Sequence, residues 1–143
     1  MEHDDQNTTN VTSRFAKYPL RFLFTNHKCS SDLPSNRSGN CIWAYPITFG
    51  GGLVSGDYVN IKVVFLPLAR CVVTTQASTK VYREREKALQ GDPVTRLNTL
   101  FEVHENALCC NLPDPLTCFQ GSRYAQQLRI HLAPTANLIH VVS

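Results

Sequence analysis

No stretch of this 143-residue sequence approaches the roughly 20 consecutive apolar residues that a helix needs to cross a bilayer, so no membrane association is expected. Clustered basic residues are missing too. The net charge is +3, but the lysines and arginines are scattered and leave no electrostatic footprint for nucleic acid. Met1 to Asn10 is acidic and polar, the opposite of an export signal, which points to a cytoplasmic location. On that reading the sequons at Asn7, Asn10 and Asn36 are chance matches in polar segments. The six cysteines (Cys29, Cys41, Cys71, Cys109, Cys110 and Cys118) form no Cys-x-x-Cys pair and read as reduced, small apolar residues. Histidines 3, 27, 104, 131 and 140 never fall at His-x-x-x-His spacing, and adjacent Cys109 and Cys110 point to opposite faces of a strand. No tightly bound cofactor is expected. A Gly-x-Ser-x-Gly elbow is also lacking, and nothing else in the sequence assembles a catalytic group, so no enzyme is expected.

What the sequence does hold is glycine in one place. Five of seven glycines (Gly39, Gly50, Gly51, Gly52 and Gly56) lie in or near Gly50-Gly51-Gly52-Leu53-Val54-Ser55-Gly56-Asp57. Gly51 and Gly56 have the spacing of a phosphate-binding loop, but Asp57 stands where the lysine is required and a strand follows instead of a helix. A carboxylate there repels phosphate, so nucleotide binding is rejected. A packed glycine turn is the ordinary reading; Asp57 remains as an acid that can line a polar cavity or meet a cation.

An apolar fraction of 43% with 17% charged residues describes one globular domain, preceded by a disordered tail over residues 1–14. Strands are expected over Phe15–Thr25, broken by Pro19, and over Cys41–Thr48, Tyr58–Leu66, Cys71–Thr75, Thr95–His104, Ala107–Leu112, Tyr124–Leu132 and Asn137–Val142. Arg83–Gln90 is the one helix candidate and Asn26–Asn40 a surface loop. Phe65 to Val73, Val103 to Cys109 and His131 to Ile139 are loose copies of strand, corner with alanine, strand; their alanines are 38 and then 29 residues apart. The expected fold is mainly β, a layered, β-helix-like or solenoid-like stack of strands with at most one or two short helices. A sandwich of repeated hairpins is the alternative. The second dense stretch, Thr74-Thr75-Gln76 to Lys80-Val81-Tyr82-Arg83, offers hydroxyls and an amide to neighbouring backbone at a sheet edge; Lys80, Tyr82 and Arg83 can alternatively face an acidic partner.

These two motifs, with Leu112-Pro113-Asp114-Pro115, Cys118-Phe119 and Tyr124-Ala125-Gln126 following in order, resemble the urease accessory proteins of the D/H type. Tyr18-Pro19-Leu20 resembles the plant and fungal members. The resemblance runs from about residue 15 to the end, and identifies 15–143 as the N-terminal part of such a domain, with the family's C-terminal part missing. It implies a non-catalytic, nickel-inserting maturation factor that binds apo-urease, an F-type accessory protein and a G-type GTPase. Within that picture Asp57 is a transient nickel contact, and Gly50, Gly51, Gly52, Gly56, Thr74, Thr75, Gln76, Lys80, Tyr82 and Arg83 are motif residues. A stand-alone β-rich interaction or ligand-binding module is the competing function.

Overall fold

A computed structural model describes residues 2–3, 8–28, 39–83 and 93–142. Thirteen strands run in chain order: β1 (Glu2–His3), β2 (Thr9–Asn10), β3 (Leu20–Lys28), β4 (Asn40–Thr48), β5 (Gly52–Leu53), β6 (Tyr58–Phe65), β7 (Arg70–Thr74), β8 (Lys80–Val81), β9 (Thr95–Val103), β10 (Leu108–Leu112), β11 (Thr117–Cys118), β12 (Tyr124–Leu132) and β13 (Asn137–His140). The fold is mainly β, with no helix among the described residues. The helix expected over Arg83–Gln90 lies, apart from Arg83, outside them.

From β4 onward the chain visits three sheets in a fixed rotation. β4, β7, β10 and β13 are successive parallel strands of one sheet, extended by β3, which pairs antiparallel with β4. β5, β8 and β11 make the second, and β6, β9 and β12 the third, all parallel. Beyond β3–β4 this pairing is incompatible with the repeated-hairpin alternative, which needs sequential strands to pair antiparallel. β1 and β2 form a separate antiparallel pair.

Period-two patterning explains the strands. On β6, Val59, Ile61, Val63 and Phe65 are buried while Tyr58, Asn60 and Lys62 are exposed. In-register pairing then stacks like on like: Ile42, Cys71, Cys109 and Leu138 form one column, and Val63, Phe101 and Ile130 another. Phe65 meets Phe101 edge to face at 5.8 Å in the core. Pro46 is tolerated inside β4 because the parallel pairing to β7 covers only Ile42, Trp43 and Ala44.

The three alanine corners are superimposed. Each is a turn whose alanine amide donates to the carbonyl three residues back: Ala69 to Leu66 (3.1 Å), Ala107 to His104 (3.2 Å) and Ala136 to Ala133 (3.0 Å). Between rounds, Leu108 donates to the Ala69 carbonyl and Asn137 to the Ala107 carbonyl, both at 2.8 Å. Leu68 and Asn106 precede their alanines with φ of 65° and 56°. Ala69 and Ala107 are fully buried, so a longer side chain has nowhere to go.

Thr9 lies in the stretch expected to be a disordered tail, yet it is buried. Its amide donates to Asn40 Oδ1, its carbonyl accepts from Asn40 Nδ2 (2.8 Å), and its hydroxyl accepts from the Arg70 amide (3.1 Å). Polar sequence masked this anchor, since hydrogen bonding to a distant asparagine leaves no local hydrophobic signal.

Ala107→Leu is expected to overpack the corner column and lower stability by about 1–3 kcal/mol, whereas Ala77→Leu, at an exposed loop position, is expected to change little. Urea denaturation of the two variants checks the contrast.

Candidate functional site

The glycine segment makes two turns with a short strand between them. Gly50 and Gly51 take φ of 83° and 72°, a region that side chains disfavour, and reverse the chain out of β4. Gly52 has a different reason to be glycine. It pairs with Lys80 across β5 and β8, where a Cβ would collide with the Lys80 carbonyl and come within 2.8 Å of the Tyr82 ring. The second turn, Val54 to Asp57, is closed by the Asp57 amide donating to the Val54 carbonyl at 3.1 Å, with Gly56 at φ 83°.

Asp57 is half-buried and works locally: its Oδ2 accepts from the Val54 amide at 2.8 Å. Its carbonyl accepts from the Arg96 amide at 2.7 Å, while Thr95 Oγ1 donates to the Val54 carbonyl (2.8 Å) and Ser55 Oγ to the Pro93 carbonyl (3.0 Å). The turn is thereby stitched to the start of β9 in the following round.

The threonine-rich stretch is tied to the round after its own. Thr74 Oγ1 donates to the Leu112 carbonyl at 2.6 Å. Thr75 Oγ1 donates to Asp114 Oδ2 and accepts from the Asp114 amide, both at 2.8 Å. Tyr82 donates its amide to the Leu53 carbonyl (2.9 Å), and its ring packs on Phe119 at 5.6 Å. Lys80 and Arg83 are exposed.

Between the glycine turn and the Thr75–Thr79 loop is a cleft of about 230 Å³. Gly51, Thr75 and Gln76 meet in its wall with Thr48, Ser78 and Thr79, above a floor of Leu53, Val59, Ile61 and Leu97. Asp57, Lys80, Tyr82 and Arg83 are outside its lining. No group of three or more His, Cys, Asp or Glu residues able to hold a metal ion exists among the described residues.

One polar feature escaped the sequence reading. The column Ala44, Val73, Asn111, His140 turns from apolar to polar along the rounds and from buried to exposed at His140, and Asn111 Nδ2 and His140 Nδ1 lie 2.9 Å apart. On β12 the Tyr124 hydroxyl donates to Gln126 Oε1 at 3.1 Å. Only the register aligns Asn111 with His140, so no local motif could have revealed that pair.

Cys109 is buried and Cys110 half-buried, consistent with their opposite faces. Burial pushes the Cys109 thiol up to about 12, with Cys110 adding to the effect. Burial raises Cys71 further still, reinforced by the neighbouring Cys41 and Cys109 thiols. Tyr124 is likewise raised to about 12 by burial, with Cys118 contributing.

Fold and cleft together define a mainly β protein of in-register parallel strands, with a turn-and-loop cleft at one corner. Residues 1–141 match the family model described as UreD urease accessory protein, and the chain belongs to that family. It is 37% identical over 131 residues to urease accessory protein D of Oryza sativa subsp. indica, covering 92% of this chain and 39% of that protein. The Arabidopsis thaliana protein of the same name is 37% identical over 131 residues, with coverage of 92% and 41%. An uncharacterized urease accessory protein ureD-like of Schizosaccharomyces pombe is 33% identical over 121 residues, covering 85% and 37%. The chain thus spans about two fifths of the length of these curated relatives.

Two outcomes follow. Gly52→Ala is expected to destabilise more than Gly51→Ala, because the first forces β5 and β8 apart and the second meets only the left-handed penalty of about 1–2 kcal/mol; chemical denaturation ranks them. The raised thiols favour the folded state fully below pH 9, their ordinary value, and lose that contribution as pH rises toward 12. The urea midpoint is expected to fall across that window, and less steeply in a Cys71→Ala/Cys109→Ala variant.

Proposed function

We propose that the chain acts in urease maturation as a non-catalytic, cytoplasmic assembly factor. Its partners would be apo-urease, an F-type accessory protein and a G-type GTPase, and nickel its passing cargo, with no tightly held cofactor. Membership of the UreD family is the observation that carries this reading. No helix among the described residues is long and apolar enough to cross a membrane. The three-sheet rotation supports a β-helix-like, solenoid-like coil, and Asn111, buried in line with Ala44 and Val73, supports a polar passage along its inside. Nickel accepts carboxylate, imidazole or thiolate ligands without needing a closed site, which suits transit rather than storage.

Co-expression with full-length urease and the F-type and G-type proteins tests the assignment, and a co-purifying complex is expected. Absence of any complex leaves the stand-alone β-rich module as the better account. Asp57 is assessed separately in a full-length version. Asp57→Asn keeps an oxygen acceptor for the Val54 amide while removing the charge, so a conduit role predicts reduced urease nickel with both Asp57→Asn and Asp57→Ala. Normal nickel content with Asp57→Asn would reduce Asp57 to a turn residue.

A further inference from the structure

A second cavity, of about 770 Å³, lies between residues 11–20 and the strands of the first round. It shares only Leu20 and Val59 with the cleft described above. Its inner wall is apolar: Phe22 and Phe24, stacked at 5.9 Å, with Ala44 and Val63. The outer wall is the segment Val11–Pro19, held at both ends. Thr9 is buried and bonded to Asn40 and to the Arg70 amide at one end. At the other, the Leu20 amide donates to the Lys17 carbonyl (2.9 Å) and β3 begins. A groove tied at both ends exists before any partner arrives, which lowers the ordering cost of binding.

Two further observations define what it would take. Its rim carries unusually exposed aromatics: Phe15 is 84% exposed, Tyr18 79% and Tyr58 63%, and Tyr18 stacks on half-exposed Phe49 at 5.9 Å. Large exposed aromatic side chains grouped in this way mark interaction surfaces. Among the described residues that line the groove, Arg14, Lys17 and Lys62 are the charged ones, and Lys62 is paired with Glu102 at 2.8 Å.

We propose that this groove docks an acidic peptide segment of a partner protein, one that inserts large apolar side chains between Phe22, Phe24 and Val63 while its carboxylates face Arg14 and Lys17. Cations around an apolar slot select acidic over basic segments and steer their approach. This inference does not rest on the urease assignment.

A fluorescein-labelled synthetic peptide alternating glutamate with leucine and phenylalanine is the probe, read by anisotropy. Two control peptides replace its glutamates by lysine, or its apolar residues by serine. The acidic apolar peptide is expected to bind at least about tenfold more tightly than either control, and to weaken by at least about tenfold against Arg14→Glu/Lys17→Glu. Both substituted residues are exposed, and unchanged circular dichroism verifies the fold of the variant. A Phe15→Ala/Tyr18→Ala variant is expected to lose affinity as well. Equal binding of the three peptides, or indifference to the charge reversals, overturns the proposal. So does a dimer in sedimentation that Phe15→Ala/Tyr18→Ala dissolves, which would make a second copy the occupant. Peptide binding that occurs only after removal of residues 1–7 overturns it too, since the chain's own acidic N-terminal segment would then fill the groove.

Discussion

The bonds that join Leu108 to Ala69 and Asn137 to Ala107 carry a constraint on which everything else depends: each round of strands must sit in register on the one before. A slip by one residue would turn Cys109 outward and Cys110 inward, and with them every residue of β10. The register is held from both sides. Corner turns fix the ends of the strands, and columns such as Val63, Phe101 and Ile130 reward only one alignment. The absence of a side chain at Gly52 belongs to the same constraint, because β5 must approach the backbone of β8 closely. Burying an aromatic such as Phe65 or Phe101 stabilises by about 1.5–3 kcal/mol, so a few correctly stacked columns outweigh the backbone irregularities at the corners.

Long strands were legible in the sequence because alternation writes burial directly into residue order. Tyr124–Leu132 is observed as expected, and Tyr58–Phe65 and Thr95–Val103 each end one residue earlier. The corner copies around Ala69, Ala107 and Ala136 were legible as well, since a stacked alanine is dictated by space. The two-residue strands β5, β8 and β11 were not. A pair of residues carries no period, and these strands exist only because neighbouring rounds supply their hydrogen bonds. The first strand was displaced for a related reason: Leu20–Lys28 follows its antiparallel partner β4 as far as Asn40 and starts after Pro19.

The candidate site divides along similar lines. Composition located the glycine turn and the threonine-rich loop, and the structure brings Gly51, Thr75 and Gln76 to one cleft. What composition could not assign was the work of individual side chains. Asp57 binds the amide of its own turn, and Thr75 clasps Asp114 in the next round. Asn111 and His140, 29 residues apart in sequence, meet through strand pairing and have no motif of their own.

The unequal spacing of the corner alanines has an evolutionary consequence. Thirteen residues separate β8 from β9, but only five separate β11 from β12 and four separate β5 from β6. The register of β6, β9 and β12 is unbroken across all three rounds despite that difference. The connection between β8 and β9 is thus longer than its counterparts while the rungs on either side stay in register. Such a corner is a natural port for insertion: sequence can be gained or lost there by descent, or grafted by an engineer, while the stacked strands on either side keep their partners.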